Sequence, residues 1–158
     1  MKKLLIMMFL AVALVGCGGS DTSQAESAGQ TAAELLQAFT DAGLPIIDAV
    51  EYTAETDPNG LLGRPGEYIE KINFNDSRYF EAGESPDLTV EVFTRRADME
   101  SRRDYIQTIV ENLNMLEFKQ YFYYSDTMLL RIPYRLTPES ASEYEAVFNA
   151  FINGELNQ

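Results

Sequence analysis

From Thr31 onward the spacing of apolar residues switches repeatedly between the helical period and the two-residue period, and that switching limits the fold class. Leu88 to Phe93 alternates: Leu88, Val90 and Val92 face one way, Thr89 and Glu91 the other, as in a half-buried strand. The next segment, about Arg95 to Leu116, changes period. Thr94 can cap it, Asp98 and Arg102 stand four apart, and Tyr105, Ile106, Ile109, Val110, Leu113 and Leu116 form one stripe.

The same reading extends in both directions. Thr31-Ala32-Ala33-Glu34 fits a capping box, Leu35, Leu36 and Phe39 share a face, and Gly43 with Pro45 ends that helix after Ala42. Ile46 to Thr53 reads as extended, with Val50 and Tyr52 on one side and Asp48 breaking the pattern. Tyr68 to Phe74 reads as a strand. Asn75 to Pro86 reads as a loop, with Tyr79 and Phe80 partly buried at best. Phe118 to Tyr124 and Thr127 to Ile132 form a hairpin around Ser125-Asp126. Thr137-Pro138 opens a last helix, striped by Ala141, Tyr144, Val147, Phe148, Phe151 and Ile152 and closed by Gly154. The order is α-β-β-β-α-β-β-α. It predicts an α+β fold: a mainly antiparallel sheet of five strands with three helices over one face.

Residues 56–67 hold two turn signals. Asp57-Pro58-Asn59-Gly60 is one. Arg64-Pro65-Gly66-Glu67 is the other, with proline and glycine where a type II turn requires them. Leu61 and Leu62, between the turns, would pin this loop to the core. Asp57 and Asn59 offer oxygen ligands, but Pro58 and Leu61-Leu62 do not fit a calcium loop, so a structural turn is the stronger reading. Arg64 could hold an anion or pair with a carboxylate. Asp57, Asn59, Arg64, Pro65 and Gly66 are therefore carried forward as a candidate structural or binding loop.

The first residues give a location. Lys2 and Lys3 precede an apolar run, Leu4 to Val15, followed by Gly16, Cys17 and small polar residues. The run is roughly 12 residues, where a membrane-spanning helix needs about 20, so a secretory leader is expected over residues 1–16. Leu14-Val15-Gly16-Cys17 resembles the lipobox of bacterial lipoproteins. The resemblance implies that Cys17, the single cysteine, carries a diacylglyceryl group and an acylated amino terminus (palmitate-type chains). Stable anchoring takes two such chains. Residues 17–30 are read as the lipidated cysteine and a polar tether reaching roughly 20 Å. Residues 31–158 are read as one globular domain. The stretches Glu55 to Asn59, Leu61 to Tyr68, Val90 to Phe93, Leu129 to Arg131 and Leu136 to Pro138 resemble a family of small uncharacterised secreted bacterial lipoproteins. That resemblance implies fold and location, and transfers no functional residues.

Charge and composition narrow the function classes. Losing Lys2 and Lys3 takes the net charge from −13 to −15, which repels nucleic acid and anionic headgroups. The membrane link expected is thus the lipid on Cys17. With no histidine and no further cysteine, Ser-His and Cys-His nucleophiles and Cys/His zinc sites are excluded. No phosphate-binding glycine motif is present. In Tyr121-Phe122-Tyr123-Tyr124 alternate rings share a face, so Tyr121 and Tyr123 are candidate exposed aromatics for a partner. The expectation is a lipid-anchored, extracytoplasmic, non-catalytic binding or interaction module without cofactor or metal. It would sit on the cell membrane, or the outer membrane of a two-membrane envelope, and meet an envelope or extracellular protein. The alternatives are a small envelope hydrolase using carboxylates, or a solute-binding component.

Overall fold

The structure is a computed structural model that describes residues 30–113 and 115–157. The leader and Cys17 lie outside the described residues. The fold is α+β: three helices and a five-stranded antiparallel sheet in the order α-β-β-β-α-β-β-α.

Helix α1 (Ala32–Asp41) begins at the capping box read from the sequence. Thr31 Oγ1 accepts from the Glu34 N–H at 3.1 Å, and Glu34 Oε2 accepts from the Thr31 N–H at 2.9 Å. Glu70 adds a carboxylate on the Ala32 N–H at 2.7 Å, a favourable charge at a helix start. Strands β1 (Ile46–Glu51), β2 (Glu70–Asp76) and β3 (Leu88–Val92) follow. Helix α2 (Arg96–Leu113) leads to a 3-10 turn, Leu116–Phe118. Strands β4 (Gln120–Tyr124) and β5 (Met128–Pro133) form a hairpin, and helix α3 (Pro138–Ile152) ends the fold. Spatial order is β1-β2-β3-β5-β4.

Several boundaries move. The second strand starts and ends two residues later than its pattern suggests, because Asp76 continues the pairing with Ile46. Helix α2 stops at Leu113, and the 3-10 turn takes residues expected in helix and strand. The hairpin turn is Asp126-Thr127, closed by Ser125 N–H to Met128 O at 2.9 Å. In β1 a bulge falls between Ile47 and Val50, where Asp48 sits at φ 52°.

The sheet is covered on both faces, which corrects the one-sided arrangement. On one face α1 and α3 enclose a core of Leu35, Phe39, Phe74, Leu88, Val90, Leu130, Ile132, Tyr144 and Phe148. Phe39 meets Tyr144 edge-on at 5.1 Å. Phe80 belongs to this core at 6% exposure, deeper than its loop position suggests. The other face carries a smaller cluster, Tyr68, Phe93, Met99 and Leu129, with Leu61, Leu62 and Phe122 packed against it. Strand β3 is therefore buried on both sides: Thr89 and Glu91 are as enclosed as Val90.

Helix α2 is fully buried only near its start, and Ile106 and Val110 further along are half-buried. Met99 is its one buried residue among those described. Tyr105, Ile109 and Leu113 are exposed, as are Met115, Leu116 and Phe118 after it. On the same face of the sheet as the Met99 cluster, Asn73, Thr89 and Arg131 stand side by side across three strands as a polar row.

Candidate functional site

The loop between β1 and β2 carries the sequence-derived candidates, and the structure organises it around Asp57. The Gly60 N–H reaches Asp57 O at 2.9 Å, closing the first turn. The Glu67 N–H reaches Arg64 O at 3.0 Å, closing the second. Gly66 takes φ 81°, the left-handed conformation a type II turn demands there. Pro65 presets the position before it.

The Asp57 side chain is buried and saturated. Oδ2 accepts from the Tyr68 hydroxyl at 2.6 Å and from the N–H groups of Leu61 and Leu62 at 2.9 and 3.1 Å. Oδ1 accepts from Lys71 Nζ at 2.8 Å. Burial pushes this carboxyl up, but Lys71, Tyr68 and the two amides outweigh burial and hold it well below the usual carboxylate range. Asn59 joins through its amide, which donates to the Tyr68 hydroxyl at 3.2 Å. Burial first, then the bond to Asp57, drives the Tyr68 phenol far above its ordinary value. Arg64 and Pro65 lie on the exposed rim and take no part.

A second ionic group adjoins the first. Glu91, fully buried, accepts from Arg102 Nη2 at 3.2 Å and from Arg131 Nη2 at 3.4 Å. Arg131 Nη1 also donates to Gln120 Oε1 at 3.2 Å. The Tyr68 ring joins the two groups. Lys71 Nζ lies 5.6 Å from its centroid and the Arg102 guanidinium 5.5 Å. A polar band thus runs across the sheet from Asp57 to Gln120, with one more cation than anion in a strongly acidic chain. Arg131 Nε and Asn73 Oδ1 are buried beside it without hydrogen-bond partners among the described residues.

Sequence reading missed Lys71 and Arg131 and misplaced Glu91 and Arg102: Arg102, set four residues from Asp98, binds Glu91 instead, and Asp98 takes Arg95. Strand phase put Glu91 outward, which holds only if nothing covers that face. The available signal was the placing of Lys71 and Arg131, cations in mid-strand in a chain with only 12 basic residues. Chemically the band is closed. A general acid or base works best with a pKa near the operating pH, while Asp57 and Tyr68 are pushed away from neutrality in opposite directions.

The candidate aromatics are placed differently from the expectation. Tyr121 and Tyr123 are half-buried against the α1/α3 core, not exposed. Tyr121 stacks on Tyr134 at 4.2 Å, and burial raises the Tyr123 phenol to about 12. The exposed ring of the run is Tyr124, capped by the Arg103 guanidinium at 4.4 Å. A cleft of about 320 Å³ lies between α2 and β4, lined by Gln107, Val110, Glu111, Lys119, Gln120, Phe122 and Tyr134. It opens beside exposed Leu116 and Phe118. This corner is one accessible surface with apolar character; a larger cleft of about 540 Å³ lies between α1 and the end of the chain, lined by Ala38, Ala42, Phe151 and Leu156 among others.

No family model, no curated protein and no solved structure matches the chain.

Proposed function

We propose that this chain is a lipid-anchored, extracytoplasmic interaction module of the cell envelope that binds a protein partner and does no chemistry of its own. One observation carries the binding half: buried acidic groups are committed to ion pairs, while apolar side chains of α2 and the following turn stand in solvent. Asp57, Asp76 and Glu91 are fully buried and each is held by a cation. Exposed Ile109, Leu113, Met115, Leu116 and Phe118 have no such structural use, and contiguous exposed apolar surface marks interaction sites.

The anchoring half rests on Leu14-Val15-Gly16-Cys17 after the apolar run. No helix among the described residues is long and apolar enough to cross a membrane. Metabolic labelling with a fatty-acid analogue tests it: label enters the natural chain and is lost from Cys17→Ser. Equal labelling of both chains would refute the anchor. For binding, the labelled chain is captured with its neighbours from solubilised membranes, with and without Leu116→Ser and Phe118→Ser. Identical sets of neighbours would remove the α2 corner from the interface.

A further inference from the structure

We infer that two copies of this chain join along strand β4 into one continuous ten-stranded antiparallel sheet, with the two-fold axis through Phe122. The inference deepens the interaction reading above by naming the occupant of the accessible corner.

The two edges of the sheet are built differently. Edge β1 is blunted: it follows Pro45, it is bulged, and Asp48 is turned to φ 52° to accept the Gly83 N–H at 2.9 Å. These are the usual guards against pairing with another chain. Edge β4 has none of them. Gln120-Tyr121-Phe122-Tyr123-Tyr124 has no charge, no proline and no bulge. The Tyr134 N–H reaches Lys119 O, and the Ser125 N–H reaches Met128 O, each at 2.9 Å. By the alternation of antiparallel pairing, the main-chain groups of residues 119, 121, 123 and 125 then face β5, and those of Gln120, Phe122 and Tyr124 face out of the sheet.

An antiparallel partner centred on Phe122 uses every outward group. Gln120 meets Tyr124 of the second copy and Phe122 meets its own counterpart, for about six main-chain hydrogen bonds. On the opposite face Tyr121 meets Tyr123 of the second copy, a cross-strand aromatic pair. This register sets no like charges opposite one another. Lys119 falls beside the second copy's Asp126, so the charges near the edge are complementary. Exposed Leu116 and Phe118 flank the junction.

The position of Gln30 agrees. Gln30 is clamped to the α1/α3 layer by its bond to Phe151 O at 2.6 Å. A two-fold axis normal to the sheet keeps that layer of both copies on one side. Both copies therefore present Gln30 on the same side of the joined sheet, as two chains anchored in one bilayer require.

The test uses the full chain expressed in its envelope and oxidised there. Phe122→Cys brings its thiols together at the axis, with Cα atoms about 5.5 Å apart, within disulfide reach. It is expected to give a covalent dimer, while Tyr124→Cys, opposite Gln120, gives none. Both are made in a Cys17→Ser background as well, so loss of the lipid is read apart from loss of pairing. Label absent but cross-link kept would fault the anchor alone. No cross-link at Phe122→Cys, or equal cross-linking at both positions, overturns the pairing. Light scattering of the natural chain in detergent should show twice the protomer mass, and Tyr124→Pro, whose lost N–H faces outward, should halve it. A protomer mass for the natural chain, even with a foreign peptide on the same edge, overturns the proposal without any variant.

Discussion

The two faces of the sheet are held by different physics. Under α1 and α3 the contacts are mainly aromatic and aliphatic, with one buried carboxylate, Asp76, held by Arg78 and Tyr144 at the margin, and the apolar share scales with area removed from water. Under α2 and the Asp57 loop a small apolar cluster around Met99 shares the face with buried ion pairs and hydrogen bonds, whose desolvation cost offsets much of their attraction. An apolar face tolerates imperfect fit and loses stability in proportion to what is removed. An ionic face is less forgiving, because a buried charge without its partner is far costlier than a missing methylene.

The largest effects should separate these regimes. Phe39→Ala opens a cavity in the first face, and Asp57→Ala strands Lys71 in the second. Each should lower stability by about 3 to 5 kcal/mol, measured by urea unfolding at pH 7. A loss below about 1 kcal/mol for Asp57→Ala would show that the ionic face contributes little.

Acid sharpens the contrast. The Asp57 carboxyl is held below its unfolded value of about 4, so the unfolded chain takes up the proton first. Its contribution is complete above that pH and drains away as pH falls through the folded value. The natural chain should therefore lose stability below about pH 4 more steeply than Asp57→Ala does, while Phe39→Ala keeps the natural slope. Parallel curves for the natural chain and Asp57→Ala would remove Asp57 from the acid response.

Within the loop the effects are smaller and graded. Gly66→Val forces a β-branched residue into φ 81° and should cost about 1 to 3 kcal/mol. Arg64→Ala, on the exposed rim, should cost about 0 to 1 kcal/mol. Reversal of that order would mean the rim, and not the turn, holds the loop.

Features set by neighbours in sequence were legible: the Thr31–Glu34 box, the Pro65-Gly66 turn, and the element order with its antiparallel sheet. Features set by distant partners were not. Glu91 and Arg131 are 40 residues apart, and no periodicity pairs them. Tyr121 and Tyr123 looked like a partner surface because strand phase cannot say which face a helix will cover. The stripe on α2 looked like core for the converse reason, since its spacing carries no information about how much of it a partner element covers: Ile106 and Val110 are half-buried, Ile109 and Leu113 exposed.

That stripe has a mechanical consequence. Helix α2 has 18 residues, about 27 Å, and its one fully buried side chain among those described, Met99, lies near one end. The helix is a lever with its fulcrum there. Leu113 lies about 21 Å along the axis from Met99 and Arg102 only about 4.5 Å. A load on the free end therefore arrives at the Glu91 ion pair with its displacement cut roughly fivefold and its force multiplied in the same ratio.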